Sequence, residues 1–128
     1  MDQLLFFSED DVDQAARAAI IRGIAELAAT AGWIAGPPRF VEDLDSADAP
    51  IIGGVLEYPS AKGISLDEDR KCLAQVEAFV GAAQRISSQF ALNIEFDLNG
   101  EVIGAIESGI LTRSLRDGLL GAWRAALA

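Results

Sequence analysis

Three observations predict an α+β domain in which a mostly antiparallel sheet carries helices on one face. Phe90, Leu92, Ile94 and Phe96 alternate with Ala91, Asn93, Glu95 and Asp97, and after Asn99-Gly100 the residues Glu101 to Glu107 read as a second strand, so this stretch predicts a β-hairpin. Two long segments, one beginning after Ser8 and one after Ser65, carry apolar residues at helical spacing. Strands and helices also alternate in the order strand, helix, strand, strand, helix, strand, strand, helix. The first six of these have the order of a ferredoxin-like βαββαβ unit, with one strand and one helix added at the C-terminal end.

Taken in order, Leu4 to Phe7 is a short apolar strand. Ser8 is a candidate cap with Asp11 three residues on, and the first helix is expected to reach about Ala31, bearing Val12, Ala16, Ala19, Ile20, Ile24 and Leu27. Gly32 ends it, and Trp33-Ile34 turns back to the core. Gly36-Pro37-Pro38 forces an extended link to a short edge strand at Arg39 to Glu42. Ile51 to Tyr58 is a strand with a bulge expected at Gly53-Gly54. Ser65 and Glu68 form a capping box for the second helix, whose stripe is Leu73, Val76, Val80, Ala83 and Ser87. In the hairpin, a three-residue loop with Gly100 left-handed would pair Asp97 with Glu101 and Phe96 with Val102. That register puts Phe96, Val102, Gly104 and Ile106 on one face. A third helix from about Thr112 carries Leu115, Leu119, Ala122 and Ala126 on one side.

Composition limits the chemistry. A length of 128 residues, half of them hydrophobic, suits a single domain (1–128) with its own core. No apolar run approaches the roughly 18 residues of a membrane span. Met1-Asp2-Gln3 carries no positive charge ahead of Leu4 to Phe7, so no signal peptide is expected there. Cys72 is the sole cysteine, which excludes an internal disulfide and makes the cytoplasm the expected location. Without histidine, the common catalytic triads and the histidine metal sites are excluded. Cys72 lies within the second helix, one position from its main stripe and four before Val76, and is expected to be buried and inert. No glycine pattern of the phosphate-cradling kind precedes a helix. Neither an enzyme nor a cofactor or metal protein is the leading expectation. The net charge of −10 argues against a nucleic-acid backbone as ligand.

Carboxylates are the abundant functional group. Glu9, Asp10, Asp11 and Asp13, and separately Asp67, Glu68 and Asp69, fall in the first turns of helices, where the macrodipole accounts for them. Glu42, Asp43, Asp45 and Asp48 have no such role, so neutralising them is expected to leave stability nearly unchanged. Glu95, Asp97 and Glu101 are expected on the hairpin face opposite the apolar one, with Glu107 further along. The spacing Glu95-x-Asp97-x-Asn99-Gly100 imitates the start of a calcium loop, but its twelfth position is Ile106 rather than an acid. In the third helix, Arg113 and Arg116 are expected to pair with the acidic hairpin face or the first helix, and Trp123 to anchor the core or its edge.

These features predict a small acidic protein that binds and occupies a basic protein partner. The partner-binding candidates are Glu42, Asp43, Asp45, Asp48, Glu95, Asp97 and Glu101, with Tyr58 as an aromatic anchor. In size, charge and lack of catalytic apparatus the chain is similar to bacterial immunity proteins, which neutralise the toxin encoded beside them. No family motif carries that likeness. It implies a toxin enzyme, such as a nuclease or deaminase, as partner. The alternatives are a homodimeric accessory domain and a carboxylate-based metal or small-ligand protein.

Overall fold

Strand β1 (Asp2–Ser8) occupies the middle of the sheet, because its apolar run Leu4 to Phe7 has side chains to bury on both faces. The computed structural model describes every residue except 31, 44–50, 61–62 and 128. Its other elements are α1 (Gln14–Ala28), β2 (Arg39–Asp43), β3 (Ile51–Tyr58), α2 (Leu66–Phe90), β4 (Asn93–Leu98), β5 (Glu101–Glu107), β6 (Ile110–Leu111), a π-helix (Ser114–Gly121) and α3 (Ala122–Leu127). The six strands form one antiparallel sheet in the order β2-β3-β1-β4-β5-β6. In its first four strands two βαβ units interleave: β3 lies between β1 and β2, and β1 lies between β3 and β4. Among the described residues no helix is long and apolar enough to cross a membrane.

All the helices pack on the face that carries Leu4 and Phe6. The Phe6 ring meets Phe79 of α2 edge-on at 5.2 Å and stacks on Phe96 of β4 at 5.8 Å. Ile20 and Ile24 of α1 and Leu73, Val76, Val80 and Ala83 of α2 complete this core with Leu56, Ile94 and Ile106. Each such aliphatic or aromatic side chain contributes about 1.5–3 kcal/mol by leaving water. Cys72 is fully buried here, and burial pushes its thiol above the usual range.

Several local expectations are corrected. Helix α1 begins at Gln14 under an Asp13 cap, whose carboxylate accepts from the Ala16 N–H at 2.8 Å. Ser8 instead ends β1, its hydroxyl accepting the Asp10 N–H, while the Asp10 carboxylate accepts the Asn93 N–H. Glu9, Asp10 and Asp11 thus lie in the connection between β1 and α1, outside the helix. Helix α2 keeps its Ser65 cap but runs through Phe90, and Ala91 turns the chain at φ 53°. Phe90 therefore belongs to the helix, and the strand begins three residues later.

Gly53-Gly54 is no bulge: both registers run through it without a break. Its glycines are needed for close approach. A Cβ on Gly53 would lie 1.8 Å from the Phe6 carbonyl oxygen, and one on Gly54 would meet Ile24 and the Phe6 ring.

The hairpin turn also differs from its expected form. Leu98 pairs with Glu101 and Asp97 with Val102 across a two-residue turn, with φ of 52° at Asn99 and 88° at Gly100, as a type I′ turn requires. Pairing then skips Ile103, so that Phe96 faces Gly104. The extra residue sits in a bulge within β5 and not in the turn. Gly104 and Ile106 still share the Phe96 face as expected, but Val102 falls on the other and is 64% exposed.

The C-terminal segment winds as a π-helix before α3, so its turns are wider than the 3.6 residues assumed from sequence. Leu115 and Leu120 are buried, while Ala122 and Ala126 are exposed. Trp123 packs on Tyr58 with ring centroids 5.5 Å apart and donates to Asp69 at 2.9 Å. Arg116 pairs with its neighbour Asp117 and Arg124 with Glu77 of α2; the expected reach of Arg116 to the hairpin or to α1 is not made.

Two substitutions test this packing. A Cβ on Gly104 would lie 2.8 Å from Leu115 Cβ and 2.9 Å from its backbone nitrogen. Gly104→Ala is expected to cost about 1–3 kcal/mol in urea unfolding, because the π-helix must move away from β5. Buried Ser87 donates to the Leu92 carbonyl at 2.6 Å and accepts the Gly109 N–H at 2.9 Å. Ser87→Ala leaves both groups without that partner and is expected to cost about 1–3 kcal/mol in the same assay.

Candidate functional site

The helix-free face of the sheet is built from alternate residues of five strands, and the strand registers arrange them in two rows. One row reads Arg39, Val55, Leu5, Asp97, Val102, and the next reads Val41, Gly53, Phe7, Glu95, Ala105. Glu95 and Asp97 therefore stand side by side on β4, same-face neighbours about 7 Å apart along the strand. Leu5 and Phe7 flank them on β1, and Val102 and Ala105 flank them on β5. Two carboxylates are set into an apolar surface.

No cation offsets them in either row. Arg39, at the far end of the first row, pairs with Glu57 at 3.2 Å. Burial raises the Glu95 carboxyl above its usual range, and the neighbouring Asp97 and Glu9 carboxyls push it the same way. Asp97 Oδ1 is shut off from solvent and receives no hydrogen bond. A desolvated carboxylate oxygen without a donor is costly, which marks this pair as incomplete in the isolated chain.

The other expected site residues are placed elsewhere. Glu42 lies on the opposite, helix-covered face, where Arg17 of α1 grips it through Nε at 2.7 Å and a terminal guanidinium nitrogen at 2.9 Å. That hydrogen-bonded pairing holds the Glu42 carboxyl below the usual range, while the guanidinium carbon lies 5.6 Å from the Phe40 ring centroid. Glu42 ties the edge strand to α1, so the expectation that it has no structural role is corrected. Asp43 is the last residue of β2, and Asp45 and Asp48 fall outside the described residues. Tyr58 is 4% exposed beneath Trp123, and burial raises its phenol strongly; it is a core residue and not an anchor presented to a partner. Glu101 pairs with Leu98 at the turn and so falls on the face opposite Asp97, because the turn holds two residues and not three. Glu107, in register with Asn93, does join the carboxylate face.

The side chains of Leu5, Phe7, Val55, Val102 and Ala105 were not among the expected site residues. Their signal was present: Leu4 to Phe7 and Ile51 to Leu56 are continuous apolar runs, and such runs build strands with apolar side chains on both faces. Asn99, the third member of the calcium-like spacing, uses its side chain to accept the Gln3 N–H and to donate to Asp2. Among the described residues no three metal-binding side chains gather. Comparison with protein-family models, with curated proteins and with solved structures returns no match.

Because the Glu95 carboxyl is raised in the folded chain, its ionisation opposes folding. Below the unfolded-state value of about 4.3 it is protonated in both states and contributes nothing. As the pH rises past that value the unfolded chain ionises first, and stability falls until the folded group ionises too. Glu95→Gln is thus expected to raise the melting temperature at neutral pH, with a gain that fades on acidification to about pH 3. A pH-independent change in melting temperature would contradict the burial of this carboxyl.

Proposed function

We propose that this chain is a non-catalytic acidic binding protein that occupies a basic protein partner through the helix-free face of its sheet. Its setting on this reading is the cytoplasm of a bacterium, where it acts as an immunity protein for a cognate toxin. The observation that supports it best is the Glu95–Asp97 pair: two half-buried carboxyls within an apolar surface, one Asp97 oxygen shut off from solvent and lacking a donor, and no facing cation among the described residues. A partner that supplies a cation with an apolar surround would satisfy the orphaned oxygen and cover Leu5 and Phe7 in the same step. The net charge of −10 would steer such a partner inward. A second copy of the chain fits less well, since it would bring two carboxylate pairs together.

The test is co-expression with the product of the adjacent reading frame, followed by calorimetry. Combined Glu95→Gln and Asp97→Asn is expected to weaken the complex at least about tenfold, an effect of about 1.4 kcal/mol or more. Neutralising Asp67, Glu68 and Asp69 is expected to lower folding stability through the lost helix-terminus interaction and to leave binding unchanged. Equal affinity of the carboxylate variant and the wild type would dispose of this reading.

A further inference from the structure

We propose that Asn99-Gly100 is a spontaneous deamidation site gated by the start of β1, which holds the Asn99 carboxamide out of reaction until that strand end lets go of the turn.

The chemistry needs only water. The Gly100 backbone nitrogen attacks Asn99 Cγ and forms a C–N bond to it. The Cγ–Nδ2 bond breaks, and Nδ2 leaves as ammonia with the proton that the Gly100 nitrogen gives up. Water then opens one of the two carbonyls of the resulting five-membered imide. The product is aspartate or, with the main chain rerouted through Cβ and Cγ, isoaspartate. A glycine in the next position makes this fastest, because no Cβ shields the attacking nitrogen. Of the chain's two asparagines, Asn99 precedes glycine and Asn93 precedes the β-branched Ile94.

The folded chain opposes the first step in two ways. Asn99 lies in the left-handed region at φ 52°, as the two-residue turn requires. That conformation sets a residue's Cβ beside its own carbonyl oxygen, and so turns the next nitrogen away from the side chain. The carboxamide is also clasped at both ends. Its Oδ1 accepts the Gln3 N–H at 2.8 Å, and its Nδ2 donates to Asp2 Oδ1 at 3.1 Å. The Asn99 N–H donates in turn to the Gln3 carbonyl at 2.9 Å, and the Ser60 hydroxyl steadies Asp2 at 3.3 Å. The turn is exposed to water, so its protection comes from this clasp and not from burial. Strand ends open more readily than strand centres, and the clasp lies at the end of β1. Conversion is one-way and acts on the same contacts. A carboxylate at this position places like charge against Asp2 where a donor stood, and isoaspartate lengthens the backbone of a two-residue turn. Either product frees the start of the central strand.

The test is mass spectrometry, on intact chain and on peptides, of the purified protein held in ammonia-free buffer at mildly alkaline pH. In urea, Asn99 is expected to gain about one dalton at the rate of a free Asn-Gly peptide, and the native chain to convert at least about tenfold more slowly. Asp2→Ala, checked for folding by circular dichroism, is expected to raise the native rate about threefold or more, because Nδ2 loses its acceptor. Should that variant unfold, amide exchange at Gln3 and Asn99 in the wild type decides instead. The native conversion rate should equal the unfolded rate multiplied by the fraction of time in which these amides are open. Equal native and unfolded rates, a folded Asp2→Ala that converts no faster than wild type, or conversion unrelated to the opening of these amides would overturn the gate. An unfolded chain that keeps Asn99 intact would overturn the site itself.

Discussion

Phe6 is the side chain on which the rest of the packing depends. It projects from the central strand toward α2, meets Phe79 edge-on and stacks on Phe96 of the adjacent strand. Its ring also borders Gly54 on the opposite neighbour, where no Cβ fits. One buried ring thus sets the separation of α2 from the sheet and requires the glycine in β3. Aromatic pairs of this kind contribute beyond their buried area because their quadrupoles favour edge-on and offset contacts.

The same demand for close approach recurs at the other end of the sheet. Gly104 lets Leu115 settle directly on β5. For Gly104 to face the helices while the Asn99-Gly100 turn keeps its two-residue form, β5 must accommodate one extra residue, and the bulge at Ile103 does so. The turn chemistry and the packing of the π-helix make incompatible demands on a regular ladder. A bulge reconciles them and leaves Val102 on the carboxylate face.

That compromise shapes the candidate site. With Val102 and Ala105 on one side and Leu5 and Phe7 on the other, Glu95 and Asp97 sit among side chains that cannot neutralise them. The protein's arginines are mostly engaged elsewhere: Arg17 with Glu42, Arg39 with Glu57, Arg70 with Asp67, Arg116 with Asp117 and Arg124 with Glu77. Exposed pairs of this sort add little to stability. Of these arginines Arg39 is the one on the carboxylate face, and Glu57 occupies it.

Local chemistry in the sequence determined the elements and much of the core. Period-two alternation, the Ser65 cap, the helical stripe of α2 and the positive φ of Gly100 are all visible in short windows, because each depends on residues close in the chain. The buried state of Cys72 follows from its place beside that stripe. Tertiary structure decided what depends on contacts between distant segments. Whether Glu42 was a free charge turned on Arg17, 25 residues away, and whether Tyr58 was an anchor turned on Trp123 lying over it. The face on which Val102 and Glu101 fall turned on a turn of two residues and not three, and the bulge that follows, which the seating of Leu115 on Gly104 makes necessary, returned Gly104 and Ile106 to the helix-covered face. A one-residue change of register moves every side chain beyond it to the other face, and local propensity is nearly indifferent to where that residue goes. Composition alone made the chain acidic; only the assembled sheet places two of its carboxylates together among apolar neighbours.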